Sequence, residues 1–239
     1  MGPQNLPEHL QSIRERLAAA AETAGRNVDC ITLLAASKDQ PPERVRAVAA
    51  AGVRHFGESY LQEALQKMAA LRDLPVTWHF IGRLQTNKTR QVAAAFEWVH
   101  GVDRLKIAER LSQQRPPEAA PLNLCLQVNV AGESSKGGVP ASELPALAAA
   151  VARLPRLKLR GLMCIPPDEP DPARQRHWFA AVRRELESLN AAGARLDTLS
   201  MGMSGDFESA VLEGATIVRI GTALFGPRPR TKRPDADLP

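Results

Sequence analysis

At 239 residues, with 44% hydrophobic and 24% charged side chains, the chain has the composition of a folded globular protein, and no uninterrupted apolar stretch reaches the roughly 18 residues of a membrane span. A formal charge of +5 raises nucleic acid as a partner, but Arg228, Arg230, Lys232 and Arg233 all sit in the proline-rich tail GPRPRTKRPDADLP, which reads as a solvated, disordered segment. Aromatic residues at 4% leave few platforms for stacking bases. Cys30, Cys125 and Cys164 are widely spaced and form no C-x-x-C pair, so they read as small buried hydrophobes rather than a disulfide or zinc framework.

The start, MGPQNLPEHL, lacks a signal-peptide core and a myristoylation serine or threonine, and predicts a cytoplasmic protein. An amphipathic helix follows at 8–24. The apolar run 32–37 is too short for a free-standing helix and predicts the first strand; Pro41-Pro42 stop it. Lys38 closes that run. An ammonium at the mouth of a buried strand is costly unless it finds a partner, snorkels to solvent, or has its pKa lowered until it is a neutral amine, which is how a Schiff-base lysine is made. Further strands are predicted at 53–57, 77–81, 98–101, 124–130, 159–165, 198–201 and 216–220. Helices are predicted between them at 43–51, 63–71, 86–94, 105–113, 143–153, 172–191 and 207–213.

Strands alternating with helices imply a parallel sheet with right-handed crossovers, and eight such units suit a closed (β/α)8 barrel of about 250 residues. An open doubly wound sheet is disfavoured, since the turn after the first strand reads SKDQPP and carries no glycine-rich fingerprint. The expectation is therefore α/β, a single (β/α)8 TIM barrel over 1–226 with an extra N-terminal helix, then the basic tail 227–239.

The active face of such a barrel is formed by the carboxyl ends of its strands. Candidates there are Lys38, Glu58-Ser59, Arg83 with Gln85, Asn87 and Lys88, Asn129 with Lys136 beyond it, Met163, Met203-Ser204-Gly205 and Gly221-Thr222. Phosphate sites in barrels are often built from the loops after strands seven and eight, here MGMSGDFES and RIGTALFG. Ser204 and Thr222 supply hydroxyls, and Gly205 and Gly221 let backbone approach an anion; the alternative is that both hydroxyls are ordinary helix caps. In TIVRIG, period-two alternation puts Arg219 on the same side as Gly221, in the barrel mouth. A buried guanidinium keeps its proton and needs an acceptor, either within the barrel or on a ligand.

LLAASK at 33–38, HFGESYLQEA at 55–64, WHFIGRLQTNK at 78–88, LQVNVAGESSKGG at 126–138, GLMCIPP at 161–167 and LSMGMSGDFESAVLEGATIVRIGTALFG at 199–226 resemble the pyridoxal 5'-phosphate homeostasis protein family (YggS/PROSC). That resemblance, running from about 8 to 228, implies a barrel like the N-terminal domain of alanine racemase. It implies pyridoxal phosphate held as a Schiff base on Lys38, phosphate contacts at Ser204, Gly205, Gly221 and Thr222, and Arg219 on the ring nitrogen. It further implies a cytosolic, often monomeric protein of vitamin B6 balance without established catalysis, with apo forms of pyridoxal phosphate-dependent enzymes as possible recipients. Three positions depart from the family's commoner wording: Ser59 stands for an asparagine, Arg83 for a histidine, and Gly205 for a small or acidic residue.

The rival is an amino-acid racemase, which needs a second acid/base on the far face of the substrate. Alanine racemase takes a tyrosine for this from another domain; the one tyrosine here is Tyr60, just after the second strand, with Lys136 or a cysteine as substitutes. A metal-dependent hydrolase is a further alternative, because His55, His79 and His100 fall near three successive strands, although no H-x-H pair is present.

Overall fold

The eight short apolar runs close on one another in chain order. The computed structural model describes residues 5–133 and 137–227. Its elements are α1 (Leu6–Thr23), β1 (Thr32–Ala36), α2 (Pro42–Ala50), β2 (His55–Glu58), α3 (Leu61–Ala70), β3 (Thr77–Phe80), α4 (Thr89–Ala95), β4 (Trp98–Val102), α5 (Leu105–Gln114), β5 (Leu122–Val128), α6 (Leu144–Val151), β6 (Leu157–Cys164), α7 (Pro172–Ala191), β7 (Thr198–Ser200), α8 (Phe207–Leu212), β8 (Ile217–Ile220) and α9 (Thr222–Phe225). All pairings are parallel, and β8 returns to pair with β1, so the sheet is a closed (β/α)8 barrel.

Register decides which side chains fill the barrel and which face the helices. Ala35, Phe56, Trp78, Phe80, Val99, Leu124, Leu162, Val218 and Ile220 share the outer face and are buried beneath the helix ring. Full burial of an aliphatic or aromatic side chain is worth about 1.5–3 kcal/mol against leaving it in water, so this layer dominates the stabilisation. The inner face is less ordinary. Leu34 and Met163 are apolar, but His55, His79, His100, Ser200 and Arg219 point the same way. Polar groups buried there must satisfy one another.

The expected strands are all present, with ends displaced by one or two residues. Val53 is not in β2; its amide closes the end of α2 on the Val48 carbonyl. The helix predicted at 86–94 is a 3-10 turn, Thr86–Lys88, followed by α4. The four-residue α9 is an element that periodicity did not mark. Cys125 and Cys164 are buried as expected, whereas Cys30 is exposed, because it ends the 3-10 turn Val28–Cys30 that precedes β1. The part of the predicted tail from 228 onward lies outside the described residues. Among the described residues no helix is long and apolar enough to cross a membrane.

The extra N-terminal helix has a definite place. α1 lies against α8 and α9: His9 Nδ1 is hydrogen-bonded to the Leu224 carbonyl at 3.0 Å, Arg16 pairs with Glu208 and stacks over Phe207, and Arg26 Nη1 donates to the Val211 carbonyl. It braces the two short helices that follow the last two strand-end loops.

Candidate functional site

Lys38 stands two residues beyond the end of β1, on the rim formed by the carboxyl ends of the strands, and is partly buried. Leu34, which shares its face by alternation, sits in register with Arg219 across the β1–β8 seam. The inner face of β1 thus runs beside Arg219, and Lys38 follows the end of that strand on the rim. The residues flanking it are tied down from behind: the Ser37 carbonyl accepts from Lys67 Nζ at 2.7 Å, and the Asp39 amide donates to Glu63 Oε1 at 2.7 Å.

The two small-residue loops meet beside that strand. Gly221 lies close enough to Ala36 that a β-carbon there would sit 3.6 Å from the Ala36 methyl. Ser204 Oγ accepts the amide of Ala223, the second residue of α9, at 3.2 Å. Ser204 is thus a cap, as one reading of the sequence allowed, but it caps the helix of the neighbouring unit and stitches the β7 and β8 loops together. Asp206 Oδ1 accepts the Met203 amide and fixes the turn before it. Burial raises the pKa of that carboxyl, against the pull of the Met203 hydrogen bond and of Arg219. Gly205 and Thr222 are exposed at the opening, and the amides of Ser204, Gly205 and Thr222 find no acceptor among the described residues. Donors of this kind, gathered from two loops, suit an anion.

Arg219 is buried, 5% exposed, and its orientation is fixed by three hydrogen bonds. Nη1 donates to the Ser200 carbonyl at 2.5 Å and to Ser200 Oγ at 2.9 Å, and Nη2 donates to the Cys164 carbonyl at 2.8 Å. The sequence offered a barrel acceptor or a ligand acceptor as alternatives. The barrel acceptors exist, yet Nε–H and the second Nη2 hydrogen have no acceptor among the described residues, so the fork retains donors for a ligand. Burial lowers this guanidinium's pKa from its usual value, but a group that starts this high stays charged.

Behind Arg219 runs a chain of imidazoles. Ser200 Oγ is 2.7 Å from His100 Nδ1, His100 Nε2 is 2.9 Å from His79 Nδ1, and His79 Nε2 is 2.9 Å from His55 Nδ1. Desolvation pushes His100 down to about 3, with Arg219 adding to the effect, and holds His79 well below its usual range, helped by its two histidine neighbours; burial also lowers His55. The rings are neutral near pH 7, each giving one hydrogen and taking one, so donation runs in a single direction along the chain. Five of the six ring nitrogens are used in this chain, four between histidines and one on Ser200, and no set of His, Cys, Asp and Glu suited to a metal ion is found among the described residues.

Other sequence candidates are placed differently. Glu58 points away from the barrel interior, toward α3. Arg83, Gln85 and Asn87 are exposed in the β3–α4 connection, and Lys88 is partly buried there. Asn129 Nδ2 donates to the Glu133 carbonyl within its own loop, and Met163 is buried on the inner face of β6. Tyr60 is 43% exposed on the rim. Lys136 lies outside the described residues. Sequence reasoning did not single out Ser200, Lys67 or Glu63. Ser200 carried a readable signal, since two-residue alternation in TLSMG puts it on the inner face.

Comparison with known proteins agrees with this fold. Residues 9–229 match the family model described as alanine racemase, N-terminal domain. A pyridoxal phosphate homeostasis protein of Pseudomonas aeruginosa is 57% identical over 223 residues, covering 93% of this chain and 96% of that one. The structure of PipY from Synechococcus elongatus with PLP bound is 38% identical, with a TM-score of 0.82, covering 92% of this chain and 100% of that one. Alanine racemase from Corynebacterium glutamicum, at 19% identity and a TM-score of 0.66, shares the fold over 96% of this chain and 63% of its own.

Proposed function

The chain belongs to the pyridoxal phosphate homeostasis proteins, within the alanine racemase N-terminal domain family, and from this membership we propose that it binds pyridoxal phosphate on Lys38 and keeps it without turning it over. Lys38 would supply the amine that condenses with the cofactor's aldehyde, with loss of water. Ser204, Gly205, Gly221 and Thr222 would hold the phosphate, and the remaining donors of Arg219 would be directed to the ring nitrogen.

The observation that carries this reading is the bond from the Ala223 amide to Ser204 Oγ beside Ala36. It joins the two anion-binding loops into one cradle next to the strand that delivers Lys38. The bound cofactor supplies an aldehyde and, if its ring nitrogen is protonated, an electron sink. Arg219 opposes that protonation, because it offers only hydrogens to the nitrogen and cannot take one. Among the described residues a second acid/base is also poorly provided; Lys136 lies outside them. Burial pushes Cys125 and Cys164 up to about 12, so neither thiol ionises near neutral pH, and Tyr60 stands on the exposed rim. The same reading takes the protein to be a cytoplasmic monomer with apo enzymes as recipients of the cofactor; light scattering of the purified protein tests the monomer.

Borohydride reduction of the loaded protein followed by peptide mapping tests the central claim. The reduced adduct is expected on Lys38 and is expected to vanish in Lys38→Ala; an equal adduct on another lysine in that variant refutes the assignment. Racemisation of any common amino acid that depends on Lys38 would overturn the non-catalytic part.

A further inference from the structure

On the outer side of the β1–β2 seam, away from the ligand loops, three charged side chains are packed together: Glu58 at the end of β2, and Glu63 and Lys67 one turn apart on α3. Glu58 is 0% and Lys67 2% exposed. Lys67 Nζ donates to Glu58 Oε1 at 2.5 Å, to Glu63 Oε1 at 3.1 Å and to the Ser37 carbonyl at 2.7 Å, which spends all three ammonium hydrogens. Ser37 Oγ donates to Glu58 Oε1 at 2.6 Å, and the Asp39 amide donates to Glu63 Oε1. Glu58 Oε2 is buried with no hydrogen-bond partner.

A buried ion pair with an orphaned oxygen is a poor way to stabilise a barrel, since apolar side chains of similar volume usually do as well or better. Its bonds are directed at one place. Two of them reach the main chain on either side of Lys38, at the Ser37 carbonyl and the Asp39 amide. Asp39 is also one of two described non-glycine residues with a left-handed backbone, φ 64°. That conformation turns the chain immediately after Lys38, and Glu63 holds its amide there.

We propose that Glu58, Glu63 and Lys67 are positioning residues that clamp the backbone on both sides of Lys38, fixing where its amine enters the barrel mouth. The inference rests on the Schiff-base reading of Lys38 given above. It assigns the cluster no contact with ligand: the side chains meet between β2 and α3, and their effect passes through the main chain of 37–39. An amine held in place meets the aldehyde in one geometry, whereas an amine on a loose loop must be ordered at each encounter.

The test separates the clamp from general stability. Glu63→Ala removes the Asp39 tether from a partly exposed site. Glu58→Leu/Lys67→Met replaces the whole buried pair with apolar groups, so that no partner charge is stranded. In the apo protein, amide hydrogen exchange at Asp39 is expected to quicken at least tenfold in Glu63→Ala while amides in β5 and β6 keep their protection. With pyridoxal phosphate added, both variants are expected to form the adduct at Lys38 at least tenfold more slowly than the unaltered chain, and Glu63→Gln, which retains an acceptor, to recover most of that loss. If the adduct maps to Lys38 in the unaltered chain but both variants load at its rate, the clamp is overturned and the Schiff-base reading survives. If the unaltered chain traps its adduct elsewhere, that reading fails and the clamp fails with it.

Discussion

Arg219 joins a structural role seen in its bonds to the role toward a ring nitrogen proposed for it. Three of its hydrogen bonds go to oxygens of β6 and β7, and these bonds aim the remaining donors into the mouth. Arg219→Lys keeps the charge but replaces a planar fork with a tetrahedral head that cannot span the Ser200 and Cys164 oxygens together. At least one buried acceptor is then orphaned, at a cost of about 1–3 kcal/mol. Denaturant unfolding of the apo protein is expected to show that loss, and the absorption band of bound pyridoxal phosphate is expected to move. An unchanged band would remove Arg219 from the ring. The inward direction of Arg219 was legible from alternation in TIVRIG. Its acceptors were not, because they come from strands 19 and 55 residues away, and pairing across that distance depends on register.

At the scale of elements, the β7 loop turns on Gly202. Its φ is +91°, its carbonyl accepts the Arg219 amide at 2.9 Å, and a β-carbon would lie 2.6 Å from that of Ala210 and 3.0 Å from the Phe207 α-carbon. Gly202→Ala is therefore strained in conformation and in space, and is expected to lower stability by about 1–3 kcal/mol. It is also expected to weaken inorganic phosphate binding, because Ser204 follows two residues later. Equilibrium unfolding and a phosphate titration check the two effects. The strands and longer helices were readable because each carries a run or a period. α9, with four residues, makes barely one helical turn, too little for a period to repeat, and α4 is preceded by a 3-10 turn that a 3.6-residue period does not describe. Lys67 escaped notice for a related reason. A lysine on an amphipathic helix normally faces water, and only the packing of α3 on β1 and β2 shows that this one does not.

For the molecule as a whole, the polar barrel interior sets the response to acid. His79 and His100 have folded-state pKa values below the usual 6.5, that of His100 being about 3. Below about pH 6.5 the unfolded chain takes up protons that the folded chain refuses, so both rings cost stability as the pH falls, His100 by about 1.4 kcal/mol per pH unit down toward 3. Glu58, Glu97 and Asp206 have raised pKa values and act with the opposite sign, gaining relative stability as acid is added. A difference measurement isolates the imidazole share: the slope of unfolding free energy between pH 6.5 and 5 is expected to be shallower in His100→Asn than in the unaltered chain. Identical slopes would mean that the ring is not held neutral. The sequence put these histidines near neighbouring strands and raised a metal as their reason. The closed barrel gives another, a file of hydrogen-bonded rings leading to Ser200 and Arg219.

The brace between α1 and α9 spans nearly the whole chain, since His9 and Leu224 are 215 residues apart when their bond forms. On the reading proposed above, a polypeptide still emerging from the ribosome carries the amine of Lys38 early, but lacks the loops assigned to the phosphate until residues 204 to 222 have been made. The same reading leaves copies that stop short of those loops poorly equipped to sequester a reactive aldehyde, so that capture waits on the last two barrel units.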